Sequence, residues 1–158
     1  MPVPAESAAA AAGLAYRVIH HGPVRSVAEA AAAQGVELRD LVKTLVVRRG
    51  EGDFVFVLVP GDRQISWPKL RALLGVNRLS MPDAATAKEA TGYERGTITP
   101  FGAATPWPVI ADELTRGRTI SLGAGKRGVG LRVRADEAVR ALGGRFADVT
   151  EPEAPPPG

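Results

Sequence analysis

Two apolar runs stand out along the chain, Val42 to Val47 and Phe54 to Val59. Both are rich in β-branched residues and they flank the charged segment Arg48-Arg49-Gly50-Glu51-Gly52-Asp53, which reads as a hairpin with a charged loop. Upstream, Ser26-Val-Ala-Glu29 has the form of a capping box and Gly35 supplies a left-handed stop, so a short helix is predicted between them. The alanine-rich residues 1–13 read as an extension or helix, and a strand is expected to end at His20-His21, ahead of Gly22-Pro23. Downstream, Ser66 caps a predicted helix through Leu74 that stops at Gly75, and Asp83 begins another that stops at Gly92. A loop rich in proline and glycine follows. Beyond it, strands are expected near Val109, from Thr119 to Leu122 and from Val129 to Val133, the last with partial period-two alternation. A final helix, Ala135 to Leu142, ends at Gly143-Gly144 and leads into a short strand, Phe146 to Val149. Strands and helices interleave without a regular βαβ rhythm, which predicts a mixed-sheet α/β or α+β domain.

Composition narrows the picture. At 158 residues, 45% apolar and 23% charged, the chain fits one globular domain. We place that domain at 14–150 and expect the proline-rich segment Glu151 to Gly158 to be a disordered tail. Eighteen glycines and 13 prolines imply many short elements joined by tight turns. The longest apolar stretches are too short to cross a bilayer and the opening lacks the basic segment of a signal peptide, so no membrane partner is expected and a cytoplasmic location is. The chain has no cysteine and only His20 and His21, which excludes disulfides, thiol nucleophiles and the usual Cys/His zinc sites. No metal site is expected. The net charge is only +3, yet the pI is about 9.7 and arginine carries most of the positive charge. That suits bidentate contacts to phosphate or carboxylate, and it equally suits the codon usage of a GC-rich genome.

Five segments are candidates for chemistry. Gly123-Ala-Gly125-Lys126-Arg127-Gly128 matches G-x-G-x-x-G, but a strand rather than a helix follows, so the dinucleotide reading fails on context. What survives is a glycine-rich turn whose amides could approach an anion or oxyanion, or a plain tight turn between strands. Lys43 interrupts an apolar strand that reads as buried on both sides, where an ammonium is either aimed into a site or snorkels to the sheet edge. Gly92 to Gly102 packs glycines, a proline, hydroxyls and an aromatic into one loop, fit either to present backbone groups to a ligand or to serve as a structural Ω-loop. His20 and His21 lack a nearby Ser or Cys motif and suit a pocket wall better than a general base. Arg48 and Arg49 read as solvated, with phosphate contact as the minor alternative.

These motifs, in this order, resemble the YbaK and prolyl-tRNA synthetase insertion-domain family of aminoacyl-tRNA deacylases. The similarity runs from about Tyr16 to Val149. It rests on Val42-Lys43-Thr44-Leu45-Val46-Val47, on Thr91-Gly92-Tyr93 through Pro100-Phe101-Gly102 with its Gly-x-x-x-Pro unit, on Gly125-Lys126-Arg127-Gly128, and on Arg145-Phe146-Ala147-Asp148-Val149. The resemblance implies an α/β fold with a mixed, largely antiparallel central sheet flanked by short helices, and a pocket for the aminoacylated 3′ end of tRNA. It implies that Lys43 acts in the pocket, engaging the terminal adenosine or its phosphate, and that Gly96 to Pro100 positions the aminoacyl carbonyl through its backbone. His21, Thr97, Ile98, Thr99, Ser121, Gly123, Gly125, Lys126, Arg127 and Gly128 are the expected substrate-binding residues. No cofactor is expected, and prolyl-tRNA synthetase is a candidate partner. One departure bears on the substrate: where the family's Cys-tRNA(Pro) deacylases carry an acidic residue two positions after the Lys-Arg-Gly glycine, and a serine before the glycine pair, this chain has Gly130 and Gly123. A non-catalytic tRNA-binding module is the alternative from another class.

Overall fold

The apolar run at 54–59 sets the architecture. In a computed structural model, which describes residues 3–153, strand β3 (Asp53–Pro60) turns Phe54, Phe56 and Leu58 to one side and Val55, Val57 and Val59 to the other, and all six are buried. Burying a side chain of this size stabilises the fold by about 1.5–3 kcal/mol. β3 is therefore central to a sheet covered on both faces. β2 (Val42–Gly50) joins it antiparallel through the expected hairpin, while β5 (Val109–Asp112) and β8 (Arg145–Ala147) add in parallel, giving the order β2-β3-β5-β8. A second, antiparallel sheet has the order β1-β7-β6, from β1 (Tyr16–His20), β7 (Val129–Arg134) and β6 (Thr119–Gly123). A parallel bridge between Leu41 and Ser121 brings the β2 and β6 edges together. The expected mixed, largely antiparallel sheet is thus present, divided into two sheets that touch at this bridge.

Helices close the two cores. α1 (Pro4–Ala11), α4 (Ala84–Thr91) and α5 (Ala135–Ala141) contribute small residues to the core on the Phe56 side, and α3 (Trp67–Leu74) buries Leu70 on the Val57 side. α2 (Val27–Gln34) starts as predicted, with Glu29 N–H donating to Ser26 Oγ at 3.1 Å, and stops at Gly35 with φ 68°. The reciprocal carboxylate of Glu29 accepts from Arg25 N–H at 3.0 Å rather than from Ser26 itself. Ser66 stands at the start of α3 without a side-chain capping bond, and Pro68 occupies the first turn, where its missing N–H leaves no helical hydrogen bond unmade. Asp83 caps α4 through Thr86 N–H at 2.8 Å, and that bond holds its carboxyl below the ordinary range. No described helix is long and apolar enough to cross a membrane.

Three expectations need correction. The strand placed at Phe146 to Val149 is β8, one residue earlier at its start and ending at Ala147. The segment beginning at Glu151 does not open as a tail: Thr150–Pro152 forms β9, antiparallel to β4 (Arg63–Ile65), and residues 154–158 lie outside those described. Arg63 secures this pair, its guanidinium donating to Thr150 Oγ1 at 2.7 Å and to Thr150 O at 3.2 Å. Finally, β2 is an edge strand, so Lys43, Thr44 and Leu45 are only half-buried where two covered faces were expected.

Candidate functional site

Between the β2 and β6 edges lies a cleft of about 1160 Å³. Its walls are α2, residues 42–46 of β2, the start of α4, part of the central loop and the turn after β6. Of the residues expected to form a site, His21, Lys43, Gly96, Ile98, Ser121, Gly123, Lys126, Arg127 and Gly128 line this cleft. Thr97, Thr99, Pro100 and Gly125 do not. The first three are buried behind it: Thr97 Oγ1 donates to Glu94 O at 2.8 Å, and Thr99 Oγ1 accepts from Phe101 N–H at 3.3 Å. They hold the loop's shape, which the lining residues then present.

The loop and the turn are joined backbone to backbone. Gly125 N–H donates to Thr97 O at 2.9 Å, and a Cβ on Gly123 would stand 2.6 Å from Ile98 O. Gly125 adopts φ 84° with Tyr93 and Pro4 packed against its α-carbon, so α1 also braces the turn, through Ala5 N–H to Ala124 O at 3.1 Å. Tyr93 in turn donates its hydroxyl to Phe101 O at 2.6 Å, and burial raises its pKa. Because Gly125 N–H is spent on this contact, it is no free oxyanion donor. The amides of Gly96 and Ile98, by contrast, have no hydrogen-bond partner among the described residues. Gly96 adopts φ 90°, a conformation that costs a residue with a Cβ about 1–2 kcal/mol.

The charge of the cleft has one sign. Arg25, Lys43, Arg95, Lys126 and Arg127 line it, and among the described residues no Asp or Glu does. Lys43 Nζ donates to Arg63 O at 2.6 Å, which leaves two of its three ammonium donors open. Burial lowers the Lys43 pKa from its ordinary 10.5, against the opposing pull of the Glu153 and Asp62 carboxylates. Arg127 reaches across from the turn to the loop, 3.8 Å from Glu94 and with its guanidinium over Gly96. Among the described residues no three His, Asp or Glu side chains converge as a metal site would need.

Sequence reasoning did not single out Gln34, Thr44 or Arg95, all of which line the cleft. Gln34 offered one signal: it is the polar residue closing an otherwise alanine-rich helix, and it is 9% exposed. Arg95 carried no signal beyond its place inside the Gly92 to Gly102 loop.

With this geometry in place, comparison with known proteins is specific. Residues 21–141 match the model of the aminoacyl-tRNA editing domain. The chain is 29% identical over 134 residues to the Enterococcus faecalis protein named "Putative Cys-tRNA(Pro)/Cys-tRNA(Cys) deacylase EbsC", covering 84% of this chain and 80% of that one. It is 41% identical over 80 residues to a proline–tRNA ligase of Thermosipho africanus, a match that covers 51% of this chain but spans only 14% of the ligase. Among solved structures, "Crystal structure of a putative trans-editing enzyme for prolyl tRNA synthetase" superposes with a TM-score of 0.86 at 27% identity, covering 96% of this chain and 99% of that one. The hypothetical protein APE2540 superposes equally well, at 0.86 and 31% identity, over 94% of this chain and 99% of its own.

Proposed function

The chain belongs to the aminoacyl-tRNA editing domain family, and from that premise we propose that it is a trans-editing deacylase, hydrolysing the ester between a small, wrong amino acid and the 3′ adenosine of tRNA. Cys-tRNA(Pro) and Ala-tRNA(Pro) are the first substrates to try. The observation that carries this reading is the cleft lined, among the described residues, by five cationic residues, no Asp or Glu, and two backbone amides without a partner. Such a wall suits a polyanion's end and an acyl oxygen together. The deacylase and proline–tRNA ligase relatives support the tRNA class, and the ligases make a prolyl-tRNA synthetase the candidate partner.

The chemistry asks for positioning more than for a strong nucleophile, because aminoacyl esters are labile. In the proposed reaction, Lys43 uses its open ammonium donors on the terminal adenosine or its phosphate. The Gly96 and Ile98 amides face the aminoacyl carbonyl, where they stabilise the oxyanion as it develops. Water, or the substrate's own hydroxyl or thiol, adds to the carbonyl carbon. Collapse of the tetrahedral adduct breaks the bond to the ribose oxygen, which leaves with a proton. Where the substrate's own group attacks, water opens the resulting cyclic product to the free amino acid. Thr97, Thr99, Pro100 and Gly125 act behind the wall by holding the loop.

The test is release of amino acid from Cys-tRNA(Pro), Ala-tRNA(Pro), Ser-tRNA and correctly charged Pro-tRNA(Pro), with wild type and Lys43→Ala side by side. We expect multiple turnover on a mischarged species, Pro-tRNA(Pro) left intact, and a loss of about 100-fold in the variant. Protection of every ester with tRNA still bound would instead identify a non-catalytic binding module.

A further inference from the structure

Gly130 on β7 lies opposite Gly123 on β6, and the missing side chain at 130 is filled from elsewhere. A Cβ there would stand 2.5 Å from Gln34 Oε1 and 2.9 Å from Ser121 Oγ. Gln34, the last residue of α2, occupies that space. Its backbone carbonyl accepts from the Arg132 guanidinium at 2.6 Å, and its side-chain Oε1 accepts from the buried Ser121 hydroxyl. Backbone and side chain are both fixed.

With Oε1 engaged, the Gln34 amide nitrogen keeps two donors for which no described residue is a partner, and Gln34 lines the cleft. Thr44 Oγ1 belongs to a residue of the same lining and is buried without a hydrogen-bond partner among the described residues. The lining of the cleft also includes the apolar Val27, Ala30, Val42 and Leu122. An alkyl group covering the Gln34 amide would bury its donors unmet, at a cost of about 1–3 kcal/mol. A hydroxyl or thiol there would meet the donors that a methyl would only cover.

We propose that Gln34, held by Ser121 in the space at Gly130, is a specificity-determining residue that makes the cleft favour an aminoacyl side chain bearing a hydroxyl or thiol over an alkyl one of similar size. This deepens the deacylase reading and rests on it. Sites built to hydrogen-bond a substrate group discriminate strongly against the analogue that lacks it.

The experiment measures kcat/KM on Ser-, Cys- and Ala-tRNA(Pro), one tRNA throughout, for wild type, Gln34→Leu and Gly130→Ala. Wild type is expected to prefer Ser over Ala by about tenfold or more. Gln34→Leu should collapse that ratio toward one, chiefly through the Ser substrate. Gly130→Ala, whose new methyl displaces the Gln34 amide, should do the same by a different route and keeps the test decisive if one variant fails to fold. An unchanged Ser/Ala ratio in the folded variants overturns the proposal, as does an equal loss on all three substrates, which would put the amide on the shared adenosine. In either case the deacylase reading stands. Failure of wild type to hydrolyse any of the three overturns both.

Discussion

Along β2 the cleft's charge is Lys43, on a strand paired to β3, whereas the facing loop and turn carry Arg95, Lys126 and Arg127 on two backbone segments that meet closely at Gly123 and Gly125. On the first wall, chemistry resides in atoms that can be removed while the strand stays paired, because the β2 to β3 ladder runs on through Val42, Thr44 and beyond. On the second, chemistry and shape share the same atoms. Gly123 and Gly125 let the two segments approach to hydrogen-bond distance, and the Gly96 and Ile98 amides proposed to hold the carbonyl belong to the same backbone. Substitution should therefore separate Lys43 from the turn glycines: activity lost with the fold intact at the first, both lost together at the second.

The largest effect is expected at Gly125. A methyl there would meet the Tyr93 ring at 2.6 Å and Pro4 at 3.1 Å, in a backbone with φ 84°. Overpacking and left-handed strain together predict a loss of about 3 kcal/mol for Gly125→Ala. Gly143, with φ 64° and nothing within 4 Å of a new methyl, is the control: Gly143→Ala carries only the strain, about 1 kcal/mol. Urea denaturation of the two variants measures the difference. Equal losses would show that the loop and turn are not braced by Tyr93 and α1, and would remove the basis for calling this wall rigid.

A smaller effect is expected at the cleft mouth. Arg127 is 72% exposed, and its ion pair with Glu94 at 3.8 Å is too long and too solvated to hold the fold. Arg127→Ala should leave the urea midpoint in place. It should weaken tRNA binding, with the slope of log affinity against log salt reduced by about one. An unchanged slope would mean that Arg127 faces no phosphate and that the cleft's positive charge is read from within, by Lys43.

The same contrast explains what the sequence made legible. Lys43 could be found because a charge in a β-branched run breaks a pattern, and α2 because Ser26, Glu29 and Gly35 mark its ends with side chains. The hairpin was equally plain, since both faces of β3 are apolar. β4 and β9 were not: three-residue strands holding Arg63, Gln64, Glu151 and Pro152 have no apolar period, and their pairing rests on Arg63 reaching Thr150 across 87 positions of sequence. Gln34 escaped for a related reason. Its partners, Ser121 and the bare α-carbon of Gly130, lie on two strands far along the chain, so only the register of β6 and β7 brings them together. The glycines of the facing wall could be seen as turns, but which amides stay free depends on the Gly125 to Thr97 bond, which no local pattern encodes.

The smallest effect lies on the β2 wall and separates what Lys43 does for binding from what it costs the fold. Burial lowers its pKa from 10.5, so between that lowered value and 10.5 the unfolded chain holds more protons at this site than the folded one does. Stability contributed by this group therefore rises with pH across the window; below it, both states are charged and the desolvation penalty is fully present. Replacing the ammonium by a neutral chain in Lys43→Met removes the penalty, and the variant's stability relative to wild type should decline as pH is raised through the window toward 10.5. Catalysis should move the other way, because the folded protein loses its ammonium over the same interval and wild-type kcat/KM, corrected for spontaneous ester hydrolysis, should fall before pH 10.5 is reached. Thermal unfolding and deacylation measured across one pH series check both signs. A stability difference independent of pH would show that Arg63 O and the Asp62 and Glu153 carboxylates offset the cost of burial in full, leaving the Lys43 ammonium as well accommodated in the folded chain as in the unfolded one.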